Sequence, residues 1–290
     1  MVSLKNINQS FTLPNTEYWD MRSTAANRDY RIFAFKPEEA PPSGGYPVIY
    51  LLDGNALFAT MVDAVRAQSR VQKKTGVSPA VVIGIGYPGD ALFDPARYYD
   101  YTMPTQPDQI IPGPEGKPWP ELGGVSEFID FIEQDLKPEV ERQFPIDGGR
   151  QAVLGHSLGG LFVLQALFDQ PHLFQNYIAG SPSIHWNKSY MAEAEQRFVS
   201  RMGQGAGQAD SSSRPQKLSL LITAGELEQS HPSRMVENAS GLADRLAKLA
   251  EQGSELRVEY CEFAGESHIS VLPALISRAV RFALVQAANG

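Results

Sequence analysis

The stretch VLGHSLGG at residues 153–160 places a serine among closely spaced glycines, directly after an apolar run. In Gly155-x-Ser157-x-Gly159, the small residues allow a sharp turn from a strand into a helix, which projects the serine Oγ above the sheet edge. The pattern is short, and a serine that caps a helix would also fit it. A strand pattern before the turn and a helical pattern after it favour Ser157 as a nucleophile.

A serine hydroxyl is a weak nucleophile near neutral pH and needs a general base. When the serine sits on a strand-to-helix turn of a parallel sheet, the acid follows it along the chain and the histidine comes last. Of the five histidines, His268 lies in FAGESHIS, between the last predicted strand and the last predicted helix. We therefore predict His268 as the base and interpret the others as turn or surface residues: His156, His172, His185 and His231.

The acid is expected after the preceding strand, KLSLLITAG, which runs into Glu226-Leu227-Glu228. Its carboxylate has to reach the far nitrogen of His268, hold the ring's tautomer and stabilise the imidazolium. Glu228, three residues past Gly225, has the favoured spacing. Glu226, and a Ser–His pair without an acid, remain alternatives.

Acyl transfer also needs backbone N–H groups that stabilise a tetrahedral oxyanion. One donor is expected at Leu158, directly after the nucleophile. The second is expected in LLDGNALF, where Gly54 lets the backbone approach a substrate, and we predict the N–H of Asn55. A plain Asp-Gly turn is the alternative reading of this loop.

These residues need a scaffold, and the chain provides apolar strand patterns that alternate with helical ones. This alternation predicts an α/β fold with a mostly parallel central sheet and helices on both faces. We interpret residues 1–290 as one domain with two interruptions, a proline-rich excursion at 88–124 and a flexible surface insertion at 203–216. Pro138 should kink the helix predicted over 125–144 or mark a break in it. The predicted strands are DYRIFAF, YPVIYLLDG, AVVIGIGYP, QAVLG, NYIAG, KLSLLITAG and LRVEYCEF.

The composition narrows the class of protein further. A net charge of −8 argues against a nucleic-acid binder, and no apolar run approaches the length of a membrane span. The single cysteine, Cys261, cannot form an intramolecular disulfide. Neither HExxH nor CxxC occurs, so we expect neither a metal nor any other cofactor.

Seven blocks of the sequence follow one another along the chain: YLLDGNALF, GIGYP, RYYDYTMP, GGVSEFIDFIEQDLKP, GHSLGGLF, SPSIHWN and GESHISVLP. Together they resemble the esterase D-like branch of the α/β-hydrolases, most of all its single-domain bacterial esterases that cleave enterobactin-type siderophore trilactones. The resemblance implies the α/β-hydrolase fold. By position, Ser157 matches the nucleophile, His268 the base, and Asn55 with Leu158 the oxyanion hole.

The resemblance implies a serine esterase that hydrolyses the trilactone of a catecholate siderophore, iron-loaded, through an acyl-enzyme. A general carboxylesterase or acyl thioesterase is the alternative. Arg97 and Trp186 match positions near the pocket, where a cation and a flat ring would suit an anionic aromatic ligand. Asp100 is expected to pair with Arg97, and Trp186 could instead anchor its loop in the core. The resemblance also implies a bacterial protein, periplasmic if a signal has been removed and otherwise cytoplasmic.

Overall fold

The structure is a computed structural model that describes residues 12–105, 118–205, 217–251 and 253–285. Within these residues, eight strands form one sheet in the order β1-β2-β4-β3-β5-β6-β7-β8. The strands are β1 Thr16–Arg22, β2 Asp29–Phe35, β3 Tyr46–Leu51, β4 Val81–Gly86, β5 Ile146–His156, β6 Asn176–Gly180, β7 Leu218–Gly225 and β8 Leu256–Phe263.

The sheet is parallel from β4 through β8 in its spatial order, and β2 pairs antiparallel with both of its neighbours, β1 and β4. This confirms the predicted α/β fold with a mostly parallel sheet. The seven predicted strands correspond to β2–β8. Sequence reasoning missed β1, an edge strand with no fully buried residue, because its segment TEYWDMR lacks the apolar run that marks an inner strand.

Nine α-helices connect or flank the described strands: α1 Gly54–Ser69, α2 Gln72–Thr75, α3 Arg97–Asp100, α4 Val125–Asp130, α5 Lys137–Gln143, α6 Leu158–Asp169, α7 Lys188–Gly205, α8 Met235–Glu251 and α9 Leu272–Leu284. They cover both faces of the sheet. Side chains of α1 and α9 pack in one apolar core, while those of α4, α6, α7 and α8 pack in another. Successive residues of β3 alternate between these cores, because neighbouring side chains of a strand point to opposite faces.

The helix predicted over 125–144 is interrupted near Pro138. A π-helical turn, Phe131–Leu136, separates α4 from α5, and the proline stands at the start of α5. A proline has no backbone N–H to donate to the preceding turn, and π turns are a recognised cause of irregular helices. The predicted irregularity thus falls where the sequence placed it.

The two predicted interruptions are described only in part. The excursion at 88–124 contains α3, and its residues 106–117 lie outside the described part of the chain. The insertion predicted at 203–216 begins inside α7, and its residues 206–216 also lie outside. One domain over residues 1–290 stays a prediction.

Candidate active site

The predicted nucleophile lies on a strained turn between β5 and α6. Ser157 has φ 60° and ψ −117°, a conformation that a non-glycine residue adopts only when its surroundings enforce it. At two glycines of this turn, Gly155 and Gly160, the neighbouring backbone leaves no room for a side chain. A Cβ on Gly155 would lie 2.2 Å from the Gly159 carbonyl oxygen, and one on Gly160 would lie 2.7 Å from that of Gly180. No larger residue fits either position without moving backbone.

The three residues predicted as nucleophile, base and acid form one hydrogen-bonded chain. His268 Nε2 lies 3.1 Å from Ser157 Oγ, and His268 Nδ1 lies 3.0 Å from Glu228 Oε2. β5, β7 and β8 end at the same edge of the sheet, so the turns that follow them meet above it. The arrangement has the geometry of a nucleophile, a general base and an orienting carboxylate.

The structure brings Glu228, rather than Glu226, to the histidine. Glu228 is 4% exposed, and its Oε1 accepts hydrogen bonds from Ser181 Oγ at 2.6 Å and the Gly225 N–H at 2.9 Å. Burial raises the pKa of the Glu228 carboxyl, but hydrogen bonds from His268, Ser181 and Gly225 outweigh burial and leave this pKa below its ordinary value. The exposed Glu226 instead accepts the Gly265 N–H at 2.6 Å.

A short segment after β6, Ser181–Ser183, touches both ends of this chain, and sequence reasoning missed it. Ser181 donates to Glu228 and has φ 40°, in the left-handed region. Ser183 Oγ lies 3.3 Å from Ser157 Oγ, and its N–H donates to the Ser157 carbonyl at 3.1 Å. The available signal was the pair of hydroxyls in Ser-Pro-Ser at the carboxyl end of a buried strand.

Both predicted oxyanion donors lie in the first turn of a helix, where backbone N–H groups lack intrahelical acceptors. Asn55 is the second residue of α1 and Leu158 the first of α6. The Asn55 side chain bonds the backbone of Tyr87, accepting its N–H at 2.8 Å and donating to its carbonyl at 3.0 Å. The close approach requires Gly86, where a Cβ would lie 2.1 Å from Asn55 Oδ1. The amide side chain thus anchors the loop, and the oxyanion role of the Asn55 backbone N–H stays a prediction.

Comparison with known proteins fits this geometry. Residues 23–271 match the model of the family described as "Putative esterase". The chain belongs to this esterase family. The membership confirms both the resemblance and the predicted ester hydrolase.

Relatives of this esterase match it over most of their length. It is 54% identical over 275 residues to "Ferri-bacillibactin esterase BesA" of Bacillus subtilis, covering 95% of this chain and 91% of that protein. It is 38% identical over 258 residues to "Siderophore enterobactin esterase" of Emericella nidulans, covering 81% and 80%. A crystal structure titled as the BES protein from Bacillus cereus superposes with a TM-score of 0.85 at 39% identity, covering 96% of this chain and 99% of that one.

Arg97 of the esterase, predicted to bind substrate, is paired with a buried carboxylate, and its contact with a substrate stays a prediction. Its Nε and Nη2 donate to the two oxygens of Asp53 at 2.7 and 2.9 Å, and the residue is only 7% exposed. Burial alone would lower the pKa of Arg97, but the charge and hydrogen bonds of Asp53 raise it instead. The guanidinium is therefore already paired and stays charged.

The predicted Asp100–Arg97 pair is wrong, because a different carboxylate occupies the arginine. Asp100 accepts hydrogen bonds from the hydroxyls of Tyr30 at 3.0 Å and Tyr87 at 2.7 Å. Asp100 is fully buried, and burial raises the pKa of its carboxyl to about 6 despite these donors. The carboxylate ties α3 to β2 and to the end of β4.

Trp186 of the esterase lies in an aromatic group that joins the 88–124 excursion to the turn after β6. Its ring centroid is 4.6 Å from that of Trp119 and 6.1 Å from that of Tyr98. Trp186 is 4% exposed, and its backbone N–H donates to the Ser183 carbonyl at 2.9 Å. The ring thus packs as a core anchor beside the site, and its contact with a substrate stays a prediction.

The described residues contain neither a cluster of metal-ligand side chains nor a helix suited to span a membrane. No group of three or more His, Cys, Asp or Glu side chains there is arranged to hold a metal ion. No helix in the same part of the chain is both long and apolar enough to cross a membrane.

Proposed function

We propose that this esterase hydrolyses the ring esters of an iron-loaded catecholate siderophore of the enterobactin type, through a covalent acyl-enzyme on Ser157. The substrate class rests on one observation, the 54% identity over 95% of the chain to a protein named as a ferri-bacillibactin esterase. The second relative, named as a siderophore enterobactin esterase, supports the same class.

In the acylation step, Ser157 Oγ attacks an ester carbonyl carbon while His268 Nε2, 3.1 Å away, takes the hydroxyl proton. The Asn55 and Leu158 N–H groups stabilise the oxyanion of the tetrahedral intermediate. The carbon–oxygen bond of the ring ester then breaks, and the imidazolium returns the proton to the leaving alcohol. The siderophore is now a linear acyl group esterified to Ser157.

In the deacylation step, a water molecule gives a proton to His268 and adds to the acyl carbonyl. The second tetrahedral intermediate releases Ser157 Oγ, which recovers its proton from His268. Each cycle thus consumes one water and produces one carboxylic acid and one alcohol. Glu228, buried and ionised, holds the imidazole through Nδ1 and stabilises its positive charge in both steps.

Ring opening has a consequence for the iron in the substrate. A cyclic triester holds its three catechol arms in place before they bind the metal, so little conformational entropy is lost on binding. Cleavage of one ester frees the arms, and the affinity for iron falls. The enzyme's product is therefore a weaker iron ligand than its substrate.

The test is product analysis by liquid chromatography and mass spectrometry. The esterase and its Ser157→Ala variant are incubated with ferric enterobactin and, separately, with p-nitrophenyl butyrate. We expect kcat/KM for ring opening of ferric enterobactin to be much higher than kcat/KM for p-nitrophenyl butyrate. The linear product should be absent with Ser157→Ala. Efficient cleavage of p-nitrophenyl butyrate beside an intact trilactone would reject the siderophore and retain the serine mechanism. This second outcome would identify a general carboxylesterase.

A further inference from the structure

We propose that the buried Arg97–Asp53 ion pair is a positioning device for the oxyanion hole and takes no part in substrate binding. The inference rests on the proposed roles of Ser157, Asn55 and Leu158. Asp53 and Arg97 would then share a function in transition-state stabilisation. Sequence reasoning did not single out Asp53, and it placed Arg97 in the substrate pocket.

The ion pair links the elements that carry the two donors. Asp53 directly precedes α1, whose second residue is Asn55. Arg97 binds both carboxylate oxygens of Asp53, and its Nη2 also lies 3.5 Å from the backbone oxygen of His156, the residue before the nucleophile. One planar guanidinium therefore spans the start of α1 and the end of β5. A fork of this geometry fixes direction as well as distance.

The backbone of Asp53 shows why its side chain has to be held. Its φ of 53° and ψ of 47° lie in the left-handed region, which aspartate tolerates but does not prefer. The N–H of Asp53 donates to the Tyr101 hydroxyl at 3.3 Å. Arg97 holds the carboxylate of the same residue. Together these contacts set the direction in which the following N–H of Asn55 leaves the turn.

The second part of the device is electrostatic. Asp53 Oδ2 lies 3.5 Å from the position that a Cβ on Gly159 would occupy, so the carboxylate abuts the first turn of α6, where Leu158 offers its N–H. Asp53 is 2% exposed, and an unpaired carboxylate there would repel the negative charge that develops on the oxyanion. Arg97 neutralises it. Because that charge is larger in the transition state than in the bound ester, loss of Arg97 should slow turnover more than it weakens binding.

The primary test measures Arg97→Gln with p-nitrophenyl butyrate and with an alkyl boronic acid, which forms a tetrahedral adduct with an active-site serine. We expect kcat to fall about 100-fold with little change in KM, as for the loss of one oxyanion donor. The inhibition constant of the boronic acid should rise by a similar factor. Arg97→Lys keeps the positive charge but cannot bind both oxygens of Asp53 in the same planar geometry, so its kcat should fall about tenfold.

A double variant separates neutralisation of Asp53 from a merely structural role. If the unpaired Asp53 carboxylate causes much of the loss in kcat, the double variant Arg97→Gln/Asp53→Asn should have a kcat about tenfold higher than that of Arg97→Gln alone. Two controls should leave kcat and the boronic acid constant unchanged. Tyr30→Phe removes a buried hydrogen bond to Asp100, and Arg245→Gln breaks the exposed two-bond pair with Glu195.

Three outcomes would overturn the inference. In the first, Arg97→Gln is less stable to heat, but the folded variant keeps its kcat and its affinity for the boronic acid. The ion pair would then have a structural role only. Another is a raised KM for ferric enterobactin with normal kinetics on p-nitrophenyl butyrate, which would return Arg97 to the substrate pocket. The third is full turnover of both esters by Ser157→Ala, which would reject the proposed mechanism together with this inference.

If Arg97→Gln does not fold, Arg97→Lys is measured in the same assays. If the wild-type esterase cleaves p-nitrophenyl butyrate but not ferric enterobactin, the proposed substrate is rejected and the inference is still decided, because its primary test uses the simple ester.

Discussion

The imidazole of His156 packs against that of His268, with ring centroids 4.5 Å apart. His156 is 2% exposed, and burial, followed by the neighbouring positive charge of protonated His268, lowers its pKa to about 3. The residue before the nucleophile is thus a neutral ring beside the proposed base. Sequence reasoning treated it as a turn residue only.

The neutrality of His156 predicts the pH dependence of turnover. As the pH falls from 7 toward 5, His156 should add no step to the decrease in log kcat/KM, because its pKa of about 3 keeps the ring neutral throughout that range. The pKa of Glu228 is lowered, so its carboxylate adds no step there either. His156→Gln should keep the same slope. A slope of two between pH 5 and 7 in the wild type, reduced to one in the variant, would contradict this assignment.

Glu228 and Glu226 offer a matched pair of variants. Glu228→Ala should lower kcat by roughly 10⁴, as expected when a triad acid is removed. Glu226→Ala removes an exposed hydrogen bond to the Gly265 N–H, so it should cost about 1 kcal/mol of stability and leave kcat nearly unchanged. Steady-state kinetics on p-nitrophenyl butyrate measures both. A loss of less than about tenfold in Glu228→Ala would indicate that His268 works without this acid.

The backbone strain at Ser157 should be measurable as stability. With φ 60° and ψ −117°, the serine occupies a conformation that costs on the order of 1–3 kcal/mol for a residue with a Cβ. Ser157→Gly relieves this strain, whereas Ser157→Ala keeps it, and both variants should be inactive. After the larger backbone entropy of glycine in the unfolded chain is subtracted, Ser157→Gly should be about 1 kcal/mol more stable than Ser157→Ala in urea unfolding. A Ser157→Gly variant that is less stable than Ser157→Ala would show that the turn is unstrained, because only the entropy cost of glycine would then remain.

Asp100 should make the folded protein less stable as the pH rises. Burial raises the pKa of its carboxyl from 3.8 to about 6, so between these values the folded chain holds a proton that the unfolded chain has lost. The free energy of unfolding therefore falls with increasing pH in this window, by at most about 1.4 kcal/mol per unit, and is flat on either side for this group.

Asp100→Asn removes that titration. The variant should gain stability relative to the wild type as the pH rises through the same window, from 3.8 to about 6. Urea unfolding of both proteins at a series of pH values measures the difference. A constant difference across the window would mean that Asp100 titrates alike in the folded and unfolded chains.

Local sequence patterns determined the sheet interior and the approximate place of each site residue. Seven strands could be located because inner parallel strands are apolar without interruption, and the β1 edge strand could not because it lacks that pattern. Ser157 and His268 could be located because their roles depend on position along the chain, one in a glycine-lined turn and the other after the last strand. Apolar runs and positions along the chain are local features, so they can be read directly from the linear sequence.

Only the tertiary structure decided which charged groups pair with one another. Glu226 and Glu228 are equally acidic in the sequence, but only Glu228 lies over Ser181 and the Gly225 N–H, where it meets His268. Arg97 is 44 residues from Asp53 along the chain, and no local pattern favours that partner over the nearer Asp100. Pairing depends on where the strand ends meet above the sheet. The free energy of a buried ion depends on all the groups around it, and those come from distant parts of the chain.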